Sequence, residues 1–447
     1  MASMIAKLQA RLSGFAGKSI SSLLVKVSGA LAGYLFFMVF AKRLGPEQFG
    51  LFAFALTAAN FGMLAAGFGQ PLLILRDLTY ALTDKDMKTG RAVLQFGLRA
   101  TLLGAVFGVL GMGLFGLLAP MFGAPAQFGL YLASAGLLVA LVAAELFGSL
   151  QRVVGRVVFS IAPKDLIWRV LSIAVLAGLA WLGVHLNAVE ALWLTCALLA
   201  VLVLGQAVDA LRRMPKGLYQ GTAGAVDLDK MRKASLHFWG IAVASGLAQH
   251  LTVVAIGFRS DPATIGAFFA AFRTATLLSM PLTAASIVLG PLIARHHKEG
   301  RRDLIQKAIV EFIILATAPT LFGLAILVIW GRGILGLFDP SYAVAYPALI
   351  VFALSFLINT LSGPCAYVMM MSGAERKYLQ YSIATNLVSV VGAGIAAGFG
   401  LIWAAVVITL ANATLNLLAA RWSRRHAGIE ATIACLWRPR SSGLGRD

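Results

Sequence analysis

The stretch RLGPEQFGLFAFA (residues 43–55) recurs in the same register as RSDPATIGAFFAA (259–271). The chain divides into two halves of six apolar segments each, and each stretch connects the first and second segments of its half. We therefore predict that the chain arose by duplication. Because six is an even number, both halves enter the membrane from the same side, and the predicted pseudo-two-fold axis lies along the membrane normal. The matching residues are Arg43, Pro46, Gly50, Phe52 and Ala55, which recur 216 positions later as Arg259, Pro262, Gly266, Phe268 and Ala271.

Twelve apolar segments fill nearly the whole chain of 447 residues. A hydrocarbon core about 30 Å thick requires roughly 20 helical residues to cross it. The sequence therefore predicts an all-α, multi-pass membrane protein with two six-helix lobes. The predicted spans are residues 20–41, 50–75, 92–118, 128–150, 165–185, 190–211, 238–258, 266–294, 305–330, 346–371, 380–398 and 401–420.

The spans divide the chain into five predicted parts. They are an interfacial helix or tail over 1–19, an N-lobe over 20–211, a cytoplasmic linker over 212–237, a C-lobe over 238–420 and a basic cytoplasmic tail over 421–447. The linker is the longest connection, so no extramembrane domain is expected between spans.

Composition excludes a soluble protein, because 60% of the residues are hydrophobic and 12% are charged, against about 25% charged in soluble domains. The net charge of +19 would suggest a nucleic-acid partner in a soluble chain, but basic cytoplasmic loops explain it in a membrane protein. Most of the 37 Lys and Arg fall in the termini and in every second connection. We therefore predict cytoplasmic termini and no nucleic-acid partner. The basic residues on the opposite face are Lys42, Arg43, Arg259 and Arg332.

Three cations within the predicted spans have no acidic residue nearby in the sequence: Lys26, Arg99 and Arg273. Charges at this depth are expensive in hydrocarbon and are candidates for function. For Lys26 and Arg99, snorkelling towards the membrane surface is an equally good explanation. For Arg273 we favour a functional role.

Other charged residues within the spans have simpler interpretations. Glu145 and Arg169 lie close enough to span ends to snorkel. Asp209 and Arg213 are four residues apart and can form a pair on one helical face. The three cysteines, Cys196, Cys365 and Cys435, belong to no paired motif, so we expect neither a disulfide framework nor a metal site, and no cofactor.

Several motifs, in order along nearly the full chain, resemble bacterial oligosaccharide flippases. These are the O-antigen and exopolysaccharide translocases (Wzx-type) of the multidrug, oligosaccharidyl-lipid and polysaccharide exporter superfamily. The motifs are LGPEQFG (44–50), GAFFAAFR (266–273) followed by Pro281 and Pro291, LFDPSYAVAYPAL (337–349), SGAERKY (372–378) and FGLIWAAV (399–406).

The resemblance implies a non-enzymatic transporter of the inner membrane. It would move an undecaprenyl-diphosphate-linked oligosaccharide from the cytoplasmic to the periplasmic leaflet by alternating access, in contact with membrane lipids and with a polysaccharide polymerase or ligase as possible partners. In such a protein, Arg273, Arg99 and Lys26 would line a cationic central cavity and bind the diphosphate, because guanidinium groups match phosphate geometry.

Polar residues in two other spans are candidates for contacts with sugar hydroxyls. Asn60 and Gln249 are intramembrane amides, for which interhelical hydrogen bonding is the alternative. This chain departs from the family's pattern at Gln249 and His250, where many relatives carry an acidic or basic pair. We keep Asn60, Gln249 and His250 as candidate substrate contacts.

Two other functions remain open. A drug or small-cation antiporter of the same superfamily would need acidic residues in its cavity, whereas the deep charges without sequence-local partners are positive. A membrane glycosyltransferase or polymerase acting on the same donor would need a sizeable periplasmic loop, whereas the longest predicted one, 331–345, carries a single acid, Asp339.

Overall fold

The computed structural model describes the backbone of residues 2–436, apart from 221, 223, 225, 226, 284–288, 290–292, 294–300 and 373. Side chains are described from residue 25 onward, with further gaps at 26, 245, 248, 249, 302, 371 and 375. Every regular element in these ranges is a helix, as the sequence predicts for an all-α protein. The chain forms two compact units, Met1–Gly266 and Ala267–Asp447.

The first unit contains ten α-helices and the start of an eleventh among the described residues. They are α1 (Ala2–Ala66), α2 (Gln70–Leu73), α3 (Thr79–Thr83), α4 (Met87–Leu118), α5 (Phe128–Val153), α6 (Val157–Ala162), α7 (Trp168–Trp181), α8 (Ala188–Arg213), α9 (Leu228–Gly246), α10 (Thr252–Ile256) and α11 (Pro262–Thr276). Short π-helical segments follow α2, α6 and α9, at Ile74–Leu78, Pro163–Ile167 and Leu247–Leu251.

The second unit contains the rest of α11 and five further α-helices in its described part. They are α12 (Arg302–Gly336), α13 (Tyr346–Leu361), α14 (Cys365–Met371), α15 (Glu375–Ala396) and α16 (Leu401–Trp422).

Nine helices in the described part are long and apolar enough to cross a membrane. One of them, Val27–Ala66, contains two predicted spans, because α1 has a non-helical kink at Gly45. The fifth and seventh predicted spans are helical but interrupted by the π-helical segments Pro163–Ile167 and Leu247–Leu251. The positions of the helices therefore follow the predicted spans.

The two repeated stretches contact each other directly. Each starts a helical segment at its proline, Pro46 after the Gly45 kink and Pro262 at the start of α11, where a missing N–H does no harm. Gly50 packs so closely on this start that a β-carbon would lie 1.6 Å from the Pro262 carbonyl oxygen. Only glycine fits there, which explains the glycine in the first copy of the motif.

Aromatic and aliphatic side chains fill the core of the first unit. Phe36, Phe40 and Phe52 are fully buried in α1 and stack on one another with centroids 4.2–6.0 Å apart. Trp168 of α7 joins this cluster and donates a hydrogen bond to the Thr195 carbonyl of α8, at 2.8 Å.

In the second unit, the residues after α16 return to the bundle and complete its core. Ile429, Ala431 and Cys435 are buried among a larger set of side chains from α12 and α14. The Glu430 backbone fixes this return, because its N–H donates to the Gln306 side chain at 3.1 Å and its carbonyl accepts from the same amide at 2.8 Å. The partners in the core include Ile305, Ile309, Ile313, Cys365, Val368 and Met369.

Candidate functional site

A half-buried ion pair joins the fourth predicted span to the residue that precedes the fifth. The Lys164 ammonium, in the π-helical segment Pro163–Ile167, donates to the Glu145 carboxylate of α5. Lys164 thus neutralises Glu145, which is predicted to snorkel, at a half-buried position. A π-helical turn widens the helix locally and is frequent at functional positions.

A second polar cluster lies further along α5 and centres on Asp209 of α8. Its carboxylate accepts hydrogen bonds from Arg213 Nε at 2.8 Å and from Gln151 Nε2 at 3.0 Å, and forms an ion pair with Arg156, whose Nε lies 3.2 Å away. The predicted Asp209–Arg213 pair is therefore present and forms part of a larger network. Gln206 extends the network by donating to Gln151 at 3.2 Å.

Arg169 of α7 links the fifth span to the first. Its guanidinium donates to the Gly29 carbonyl at 2.7 Å and to the Asp165 carbonyl at 3.1 Å, so it bonds within the bundle and does not snorkel. A β-carbon at Gly33 would lie 2.6 Å from Arg169 Nη1. The small residues Gly29 and Gly33, one helical turn apart on α1, make room for this arginine.

Two cavities of the first unit are each lined by several helices. One, of 350 Å³, is lined by apolar side chains and glycines of α1, α4, α5 and residues 251–254. The other, of 200 Å³, lies between α1, α4, α5 and α9 and includes Thr101, Glu145 and Arg152 in its wall. Among the described residues, no group of His, Cys, Asp and Glu is arranged to hold a metal ion.

The predicted site residues lie in different environments. The Asn60 side chain donates to the Leu56 carbonyl of its own helix at 2.7 Å. Arg99 is exposed, on the same face of α4 as the exposed Leu103 and Leu110. Its position permits snorkelling.

Arg273 of α11 is half-buried in the second unit, with its guanidinium carbon 4.9 Å from the centre of the Phe269 ring, a distance typical of a cation–π contact. His250 is half-buried in the π-helical segment Leu247–Leu251. The side chains of Lys26 and Gln249 lie outside the described residues.

Sequence reasoning missed Lys164, Arg152 and Arg91. Arg91 was assigned to a loop, yet it is 5% exposed and donates to the carbonyls of Leu218, Gly217 and Thr222. These contacts span more than a hundred residues of sequence. The one local signal was PKD at 163–165, a pair of charges directly beside an apolar span.

No protein-family model and no curated protein matches this chain. Solved structures do match it. An inward-facing multidrug resistance MATE family transporter of the MOP superfamily is 15% identical, with a TM-score of 0.75 over 91% of this chain and 98% of that chain. The lipid II flippase MurJ, in an inward closed conformation, is 12% identical, with a TM-score of 0.67 over 91% of this chain and 87% of that one.

A MOP superfamily transporter from Pyrococcus furiosus is 15% identical, with a TM-score of 0.56 over 94% of this chain and 95% of that chain. At this level of identity, the comparisons show the fold. This chain is a multi-pass membrane protein with the fold of MOP superfamily transporters.

Proposed function

We propose that the protein is a flippase for undecaprenyl-diphosphate-linked oligosaccharides of O-antigen or exopolysaccharide assembly. It acts in the bacterial inner membrane by alternating access, with its termini in the cytoplasm. The fold is shared with transporters that include a lipid II flippase. The motifs that resemble Wzx-type translocases supply the finer substrate class.

The observation that carries this proposal is the neutralisation of two carboxylates within the spans. Glu145 is engaged by Lys164, and Asp209 is engaged by Arg156 and Arg213. A cationic drug would have to compete with these basic side chains for the same carboxylates. An anionic substrate meets no such competition, so the arrangement favours a lipid diphosphate over a drug cation.

Arg273 is the proposed diphosphate contact. Its guanidinium is held over Phe269, and a planar forked donor suits phosphate better than a point charge does. The Pyrococcus furiosus neighbour is described as having a binding pocket of reverse polarity that suggests a different function, so charge reversal within this fold has a precedent.

The test is export of lipid-linked oligosaccharide in a bacterial strain that lacks its own flippase. We expect Arg273→Ala to abolish export at normal protein abundance and Arg273→Lys to restore part of it. Arg332 is a matched control, because its guanidinium carbon also lies over an aromatic ring, Tyr346, at 5.2 Å, but in a predicted periplasmic segment. Arg332→Ala should export normally. Normal export by Arg273→Ala would refute the proposed contact between Arg273 and the diphosphate.

A further inference from the structure

The two cavities of the first unit lie in line along the same helices. On α5, the apolar cavity touches Leu138, and the polar cavity begins at Val142 and reaches Arg152. On α4, the apolar cavity begins at Gly104 and the polar one touches Thr101. We call the apolar cavity the chain cavity and the polar one the head pocket. Together they present a polar end and an apolar end to one ligand.

The head pocket contains hydrogen-bonding groups that lack a partner. Among the described residues, Arg152 Nε and Thr101 Oγ1 are buried and make no hydrogen bond, and Thr101 is 7% exposed. Such groups are unfavourable unless a ligand or water satisfies them. Both can donate, so they match the oxygens of an anion. Arg152 itself is held in place by Ser149, to which Nη2 donates at 2.8 Å.

The charges around the head pocket set the charge of its ligand. Arg152 and Glu145 belong to its wall, and Lys164 neutralises Glu145. The formal charges of Arg152, Glu145 and Lys164 sum to +1. A phosphodiester carries one negative charge and balances it, whereas a lipid diphosphate brings more than the pocket can offset.

The chain cavity is suited to hydrocarbon. Its volume of 350 Å³ would hold about twelve water molecules at the ~30 Å³ that each occupies in the liquid. Its wall, however, offers water few polar partners. Phe107 at its edge is 62% exposed, so the cavity has an accessible rim. The wall includes Phe61, Phe107, Gly108, Gly111, Met112 and Phe115.

We propose that the first unit binds one glycerophospholipid, with its phosphodiester at Arg152 and Thr101 and an acyl chain in the chain cavity. Arg273 is not among the lining residues of either cavity, and the site does not depend on the proposed transport function. The bound lipid would fill a gap between α1, α4 and α5 and hold these helices together.

Native mass spectrometry of the purified protein, titrated with phosphatidylglycerol, tests this site. Gly111→Phe fills the chain cavity, and a β-carbon at Gly111 meets no atom within 4 Å, so the backbone is not strained. Gly113, two residues away on α4, is equally open and does not belong to the cavity wall, which makes Gly113→Phe the matched control. We expect Gly111→Phe to weaken binding of the first phosphatidylglycerol at least tenfold and Gly113→Phe to leave it unchanged.

The head pocket is tested with Arg152→Gln against Lys216→Gln, a charge removal on the same predicted side of the membrane. Arg152→Gln should weaken phosphatidylglycerol about tenfold, equivalent to ~1.4 kcal/mol, and leave binding of diacylglycerol, which has no phosphate, unchanged. Thermal unfolding of each variant without lipid separates loss of the site from misfolding. Wild-type affinity in Gly111→Phe or Arg152→Gln would overturn the proposal. Preferential binding of undecaprenyl diphosphate at this site would also overturn it, by assigning the pocket to the transported lipid.

Discussion

Gly50→Ala tests whether the contact between the two repeated stretches holds the first unit together. A β-carbon at this position would lie 1.6 Å from the Pro262 oxygen and 2.4 Å from its carbonyl carbon. Both obstructing atoms are backbone and cannot rotate away. Because heavy atoms pack at about 3.5 Å or more, the start of α11 would have to move by about 2 Å.

The expected loss follows from two opposing contributions. Overpacking of this kind typically destabilises a protein by about 1–3 kcal/mol. Alanine gains up to about 1 kcal/mol over glycine within a helix. We therefore expect Gly50→Ala to lower the free energy of unfolding by about 1–2 kcal/mol, and Tm by about 2–4 °C for each kcal/mol in a unit of this size.

The assay is thermal unfolding of the purified protein in detergent, monitored by tryptophan fluorescence. Gly178→Ala is the control, because Gly178 lies within α7 and a β-carbon there meets nothing within 4 Å. It should raise Tm slightly or leave it unchanged, through helix propensity alone. If Gly50→Ala is as stable as Gly178→Ala, the contact with Pro262 does not hold the unit together.

Three further predictions concern the repeat, the C-terminal return and the topology. If the duplication relates the two stretches, Gly266→Ala should lower Tm as Gly50→Ala does, and a stable Gly266→Ala would argue against the repeat. Burial raises the pKa of Glu430, but hydrogen bonds from Thr432 and Arg424 outweigh this effect and leave the pKa below its usual value of 4.5. The stability advantage of wild type over Glu430→Gln should therefore be complete above pH 4.5 and fade as the pH falls through that lowered pKa. An advantage independent of pH would show that the Glu430 carboxylate does not stabilise the C-terminal return. A single cysteine at the exposed position Tyr80 should react with an impermeant reagent only from the cytoplasmic side, and labelling from outside intact cells would invert the topology.

The sequence was sufficient for the all-α fold and for the positions of the spans, because apolar length alone determines which segments can cross a bilayer. It did not predict the π-helical interruption at Pro163–Ile167. That turn is associated with tertiary contacts, including Lys164 with Glu145 and the close approach of Asp165 to Gly29. The local sequence does not indicate which distant residue a side chain will contact.

The candidate site was harder to predict than the fold for the same reason. Cations without nearby acids in the sequence identified Arg99, but the structure exposes that side chain on an outward face of α4. Arg152 was not singled out, although it helps to form a pocket with Thr101 of another helix. Sequence distance to an acid is therefore a poor guide to whether a basic side chain lies inside the bundle.

The return of residues 429–435 into the second unit has a consequence for biosynthesis. Ile429, Ala431 and Cys435 are buried against α12 and α14, so this core cannot close until residue 435 has left the ribosome. Chains are synthesised at about 5–20 residues per second. Until residues 429–435 have been synthesised, Ile305, Ile309 and Ile313 lack part of their packing. A stop codon just after α16 would retain every predicted span and still remove part of the core of the second unit.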